Sequence, residues 1–206
     1  MDTDFQEEHE KYLGSLYSID SDVKISRLET NIRISNGLAW SRDNKTFYYI
    51  DTMIHRIDAF DYSFETGVIS NRRPLFDYKS HPEVKGIPDG MSIDGNDNLW
   101  VACFNGFQVL NIDPREGKLL RILDMPARNI TSTCWGGPDY STLFVTSAKL
   151  SSESDTEVYP DTGKTFAVTG LGVKGFSPKK FKGQAGPDML YDLNIRKSFR
   201  ITLNHQ

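Results

Sequence analysis

Long apolar runs are absent from this 206-residue chain: the longest, Phe47 to Ile50 and Leu99 to Phe104, fall far short of the roughly 18 to 20 residues that a bilayer-crossing helix needs. A membrane partner is therefore not expected. Met1 to Glu8 are acidic and carry no apolar segment, so a secretory signal is not expected either and a cytoplasmic location is. Cysteine is scarce. Cys103 and Cys134 stand 31 residues apart, with no Cys-x-x-Cys pair and no histidines at zinc-site spacing, which excludes a disulfide framework and a zinc module. Both are expected to be reduced thiols in the core. Basic residues are not in excess: 24 Lys and Arg against 28 Asp and Glu leave a net charge of −4, without the basic footprint of a nucleic-acid binder. The one basic cluster, Lys174, Lys179, Lys180 and Lys182, reads as a solvated face.

The chain does contain 38% hydrophobic residues, enough for a real core, and an internal repeat. Gly37-Leu38-Ala39-Trp40-Ser41 followed by Phe47-Tyr48-Tyr49-Ile50-Asp51 recurs as Gly90-Met91-Ser92-Ile93-Asp94 followed by Leu99-Trp100-Val101-Ala102-Cys103. A weaker third copy runs through Thr133-Cys134-Trp135, a Gly136 to Asp139 turn, and Leu143-Phe144-Val145-Thr146-Ser147. Each copy is a hairpin. A third strand ending in aspartate (Ile57 to Asp61, Val109 to Asp113), a turn marked by Gly67 or Gly117, and a fourth strand follow. Four antiparallel strands per unit, without helical periodicity between units, predict an all-β chain of propeller blades. A twisted four-stranded sheet cannot bury both faces alone, and stacked blades bury each other.

The ends depart from this pattern. Leu16 to Asp20 matches the third strand of a blade whose first two strands are missing, so residues 1–13 are expected to begin in mid-blade. Residues 14–183 are expected to form the partial propeller, its last strand being Thr165 to Thr169. Residues 184–206 are expected to be a tail outside the blade pattern.

The two clear copies place Asn36-Gly37 and Asp89-Gly90 at the same point, just before the innermost strand. Inner strands of a propeller converge on its axis, so two oxygen donors would face one point although 53 residues separate them. Amide and carboxylate oxygens are hard ligands suited to calcium, magnesium or manganese. Asn-Gly and Asp-Gly are also the strongest short hairpin signals, so a pair of plain turns competes with a metal site. His55 and His81 read as surface histidines, and Trp40, Trp100 and Trp135 as inter-blade packing.

Beyond these spacings, the runs Ile34 to Ser41, Phe47 to Asp51, Asp58 to Tyr62, Ile69 to Arg73, Ile87 to Met91, Leu99 to Gly106 and Gly170 to Gly175 resemble the regucalcin and gluconolactonase family over about Gly14 to Gly183. That resemblance implies a six-bladed propeller, here incomplete at about three and a half to four blades. It also implies one divalent cation in the channel, calcium foremost, with zinc, magnesium and manganese as alternatives, and hydrolysis of a sugar lactone such as D-glucono-1,5-lactone. The family's asparagine ligand falls on Asn36. Its aspartate ligand, also the general base, falls on Asp89, and its glutamate ligand has no counterpart in this chain. Two functions are thereby expected as alternatives: a lactonase tied to calcium homeostasis, or an inactive truncated isoform serving as a calcium-responsive, protein-binding module.

Overall fold

The computed structural model describes residues 14–150 and 159–181. Thirteen strands account for nearly all of its regular structure: β1 (Gly14–Ile19), β2 (Ile25–Ile32), β3 (Ser35–Trp40), β4 (Thr46–Asp51), β5 (Arg56–Tyr62), β6 (Ile69–Asp77), β7 (Ile87–Ile93), β8 (Leu99–Phe104), β9 (Gln108–Asp113), β10 (Lys118–Asp124), β11 (Ile130–Gly136), β12 (Thr142–Ser147) and β13 (Thr165–Val168). They form four sheets, β1-β2, β3-β4-β5-β6, β7-β8-β9-β10 and β11-β12-β13, in which neighbours run antiparallel. This is the expected incomplete propeller, with two whole blades flanked by two partial ones. Among the described residues no helix is long and apolar enough to cross a membrane.

Burial grades along each complete blade. The middle strands β4, β8 and β9 are buried on nearly every residue, whereas β6 and β10 are largely exposed. Continuous rather than alternating burial means that both sheet faces are covered. Three clusters fill the spaces between blades. Leu16, Ile32, Phe47, Tyr49 and Phe60 lie between the first two sheets. Tyr48, Ile50, Ile57, Phe76, Met91, Val101 and Leu110 belong to the second cluster, and Trp100, Val109, Ile130, Trp135 and Leu143 to the third.

The hairpin turn between the first two strands is built alike in each repeat. Asn44, Asp97 and Tyr140 take positive φ of 56°, 64° and 59°, a region where Asn and Asp are enriched. In the middle blade the Asp94 carboxylate accepts from the Asn96 and Asn98 amides at 2.8 and 3.0 Å and from Trp100 Nε1 at 2.8 Å, tying the turn to the core.

Two packing expectations need correction. Trp100 and Trp135 meet edge to face at 5.6 Å in the core, but Trp40 is 39% exposed because it lies on the face turned toward the two-stranded first sheet, which does not cover it. Cys103 is buried, whereas Cys134 is exposed, since β11 alternates and Cys134 points away from the Trp135 side. The third repeat also begins earlier than its sequence match, at Ile130. The first 13 residues and residues 184–206 lie outside the described residues.

Candidate functional site

Asn36-Gly37 and Asp89-Gly90 are not hairpin turns. Both pairs lie inside strands, and both mark a register shift. In the β3–β4 pairing Ser35 opposes Asp51 and Leu38 opposes Tyr49, so Asn36 and Gly37 together face Ile50. In the β7–β8 pairing Pro88 opposes Cys103 and Met91 opposes Val101, so Asp89 and Gly90 together face Ala102. Each pair is a β-bulge, a device that re-aims a side chain and sharpens local twist. The third repeat bulges at the equivalent position, between Ile130 and Ser132, and places Thr131 there.

Glycine after the donor lets the inner strands approach one another. A Cβ on Gly37 would meet the Met91 Cβ at 2.5 Å and the Asp89 carbonyl oxygen at 2.8 Å. A Cβ on Gly90 would meet the Ser132 hydroxyl at 2.5 Å and the Thr131 carbonyl oxygen at 2.7 Å. Backbone therefore packs on backbone at the axis, and Asn36 and Asp89 lie near enough across it for the Asn36 amide to favour the ionised Asp89 carboxylate. A further bond between inner strands, Ser92 Oγ to Thr133 Oγ1 at 2.9 Å, joins β7 to β11.

Each donor has its own support. The buried Asp51 carboxylate at the end of β4 accepts from the Arg33 and Ile34 amides at 3.1 and 3.0 Å, bending the chain into β3. Thr52, also buried, donates its backbone amide to Ile34 O at 3.0 Å and accepts from Asn36 Nδ2 at 2.9 Å. Beneath Asp89, the hydroxyl of the buried Tyr78 lies 3.7 Å from Cys103 Sγ, and Cys103 pairs with Pro88. Burial pushes the Cys103 thiol up to about 12 and the Tyr78 phenol well above its usual value, with the Asp89 charge adding to both. Neither is a nucleophile at neutral pH.

Asp89 itself is raised to about 6, by desolvation first, against the lowering effect of hydrogen bonds from Asn36 and from the Gly90 amide. Among the described residues no lysine or arginine contributes to the shift. A half-buried carboxylate raised by desolvation, with no counter-charge among the described residues, is the electrostatic setting that a bound cation relieves. An amide and a carboxylate, with no thiolate or imidazole, also suit a hard cation. In that sense the residues present fit a divalent ion as part of its donor set. Among the described residues no three His, Cys, Asp or Glu side chains gather into a metal cluster.

Other sequence candidates stand apart. His81 stacks on Phe76 at 4.2 Å and reaches Glu83 at 3.1 Å, and His55 is half-buried at the positive-φ end of the turn after β4. Lys174 pairs with Asp139 at 2.6 Å on the surface. A polar cleft of about 790 Å³ lined by Arg42, Asp97 and Arg115 lies at the opposite end of the inner strands from Asn36 and Asp89. Thr52, Tyr78 and Thr131 escaped the sequence reading, which placed Cys103 in the core but not beside Asp89. Only Thr131 had a usable signal there, its position in the third repeat, and it was hidden by the replacement of glycine with Ser132 at the bulge.

The comparisons agree with this architecture. The profile of the SMP-30/Gluconolactonase/LRE-like region matches residues 1–149. Regucalcin of Danio rerio is 48% identical over 171 residues, which cover 82% of this chain and 57% of the relative. A solved luciferin-regenerating enzyme superposes with a TM-score of 0.77 at 45% identity, covering 83% of this chain and 56% of that one. A solved calcium-binding protein, regucalcin from Agrobacterium tumefaciens, has the same TM-score at 27% identity, covering 84% of this chain and 58% of that one. The chain thus spans under three-fifths of the length of these relatives. By sequence profile, repeat register and fold together, it belongs to the SMP-30/gluconolactonase/LRE-like family.

Proposed function

We propose that this chain carries part of a cation-dependent lactonase site, with Asp89 as general base and cation ligand and Asn36 as second ligand. The observation that carries the reading is the placement of these two residues at matching bulges of adjacent inner strands that pack backbone to backbone. When bound, the divalent ion, calcium foremost, supplies positive charge that polarises the lactone carbonyl and acidifies water. The residues' own part is narrower. Asp89, raised to about 6, is mostly ionised at pH 7 yet basic enough to accept a proton from water attacking the ester carbon. Asn36 is held by Thr52 Oγ1, and its neutral amide orients without adding charge. Cys103, Tyr78 and Ala102 keep water from the inner side of Asp89.

Hydrolysis of D-glucono-1,5-lactone by the purified chain tests this, with and without calcium, magnesium, manganese or zinc. Cation-dependent turnover that Asp89→Ala abolishes and Asn36→Ala weakens supports the reading. Folded protein with no turnover under any cation refutes the catalytic half of it. Calcium binding without turnover would favour the second reading, a calcium-responsive binding module, to which the exposed apolar residues Tyr17, Ile19, Leu38 and Trp40 point.

A further inference from the structure

The short turn that leaves β4 ties together the supports of both candidate ligands. It runs over Thr52–Ile54 and is closed by His55, whose amide donates to Thr52 O at 3.0 Å. At its start Thr52, only 4% exposed, makes two bonds to the segment that enters β3. Its amide donates to Ile34 O at 3.0 Å, and its hydroxyl oxygen accepts from Asn36 Nδ2 at 2.9 Å. At the far end His55 O accepts from the Tyr78 amide at 3.1 Å, and Tyr78 is the residue whose hydroxyl reaches Cys103 beneath Asp89. The turn also packs against β7, the strand that carries Asp89. Thr52 is thereby braced on two sides, by Ile34 ahead of β3 and, through His55, by Tyr78 ahead of β7.

Position alone does not make an asparagine a cation ligand. Its amide turns about the last side-chain bond, and only the oxygen end is a donor for a hard cation. With Nδ2 given to Thr52, the oxygen is turned to the other side. The acceptor that enforces this is stiff. Threonine is β-branched and restricted at χ1, its own amide and carbonyl are both bonded, and its burial keeps water from competing for the Asn36 hydrogen. Asn36 is half-buried, so loss of the acceptor would leave an unpaired N–H as well as a loosened amide. The third repeat holds its bulge residue in a similar way, since Thr131 Oγ1 lies 2.8 Å from Thr146 Oγ1.

We propose that Thr52 is a positioning residue of the cation site: its hydroxyl, on a turn braced at both ends, fixes the Asn36 amide so that the oxygen is presented to the ion. This rests on the reading of Asn36 and Asp89 as cation ligands, and Thr52 acts through Asn36 without touching ion or substrate. Two measurements on the full chain test it, calorimetric titration with calcium and NMR of the Asn36 side-chain amide without calcium, its signals identified by their loss in Asn36→Ser. Thr52→Val, which keeps the shape and removes the hydroxyl, should weaken calcium binding about tenfold, and Thr52→Ser should stay within about twofold of the native protein. Thr52→Val should also exchange the Asn36 amide hydrogens with water about tenfold faster, while the backbone amides of β8 and β9 keep their protection as the control for folding. Native calcium affinity in Thr52→Val, or Thr52→Ser as weak as Thr52→Val, would overturn the proposal. So would Asn36 amide hydrogens that exchange alike in the native, Val and Ser proteins. A native chain that binds no calcium while its Asn36 exchange still depends on Thr52 would overturn the cation reading and not the orienting role of the turn.

Discussion

The sheet β3–β6 has two faces of similar composition and unequal surroundings. One face, with Ala39, Tyr48, Ile50, Ile57 and Ala59, meets a complete blade and is sealed by Met91, Val101 and Leu110. The other, with Phe47, Tyr49 and Phe60, packs among the described residues against Leu16, Ile32 and the partly buried Leu28, and its Leu38 and Trp40 are 44% and 39% exposed. Apolar character is thus the same on both faces, and burial is decided by what the neighbouring blade provides. The candidate ligands lie at the sealed junction, where β3 and β7 are in backbone contact.

This contrast can be tested by truncating each face. Ile50→Ala, at a fully buried position of the sealed face, is expected to lower unfolding free energy by about 3–4 kcal/mol in urea titration. Gly37→Ala should follow at about 2–3 kcal/mol, because its methyl group meets the Met91 Cβ and backbone that cannot turn aside. The same variant should weaken calcium binding in calorimetry by parting Asn36 from Asp89.

Asp89→Asn is expected to act in the opposite direction on stability. A carboxyl raised to about 6 from its usual range disfavours the folded state once it ionises, so the penalty is present above pH 6 and gone below pH 4. Without cation, and allowing for solvent screening of a half-buried group, Asp89→Asn should gain about 1 kcal/mol at pH 7.5 and nothing at pH 4. With calcium the native protein should recover that difference. For the same reason calcium affinity should fall as pH drops through 6, read by calorimetry at pH 5, 6 and 7.5, because the proton then competes for Asp89.

The smallest effect belongs to the open face. Leu38→Ala should cost less than about 1 kcal/mol if that face is open to water, since an exposed leucine has little burial to lose. A cost near that of Ile50→Ala would mean that the two faces are equally covered in solution.

Much of this was legible in the residues. The hairpin turns at Asn44 and Asp97, the aspartate-terminated third strands and the glycine turns follow from local chemistry, and they specify blades. The register of Asn36 with Asp89 was legible too, because the repeat is strict there. Its conformation was not: Asn-Gly and Asp-Gly read locally as turns, and only the pairing of β3 with β4 and β7 with β8 makes them bulges. Trp40 was misplaced because period-two alternation identifies a face without showing whether another sheet covers it. Tyr78 was invisible because it sits in the short turn after β6, where no periodicity operates.

The bulge glycines also separate chain length from site geometry. Asn36 and Asp89 are 53 residues apart, while Asp89 and Thr131 are 42 apart, yet both steps end in the same inner-strand contact. The connection from β6 to β7 is longer than that from β10 to β11, so part of the surplus lies at the periphery. Insertions in the outer connections can therefore lengthen the protein without moving a donor atom. Deleting one residue from a bulge would turn the rest of that strand over and point its donor away from the axis.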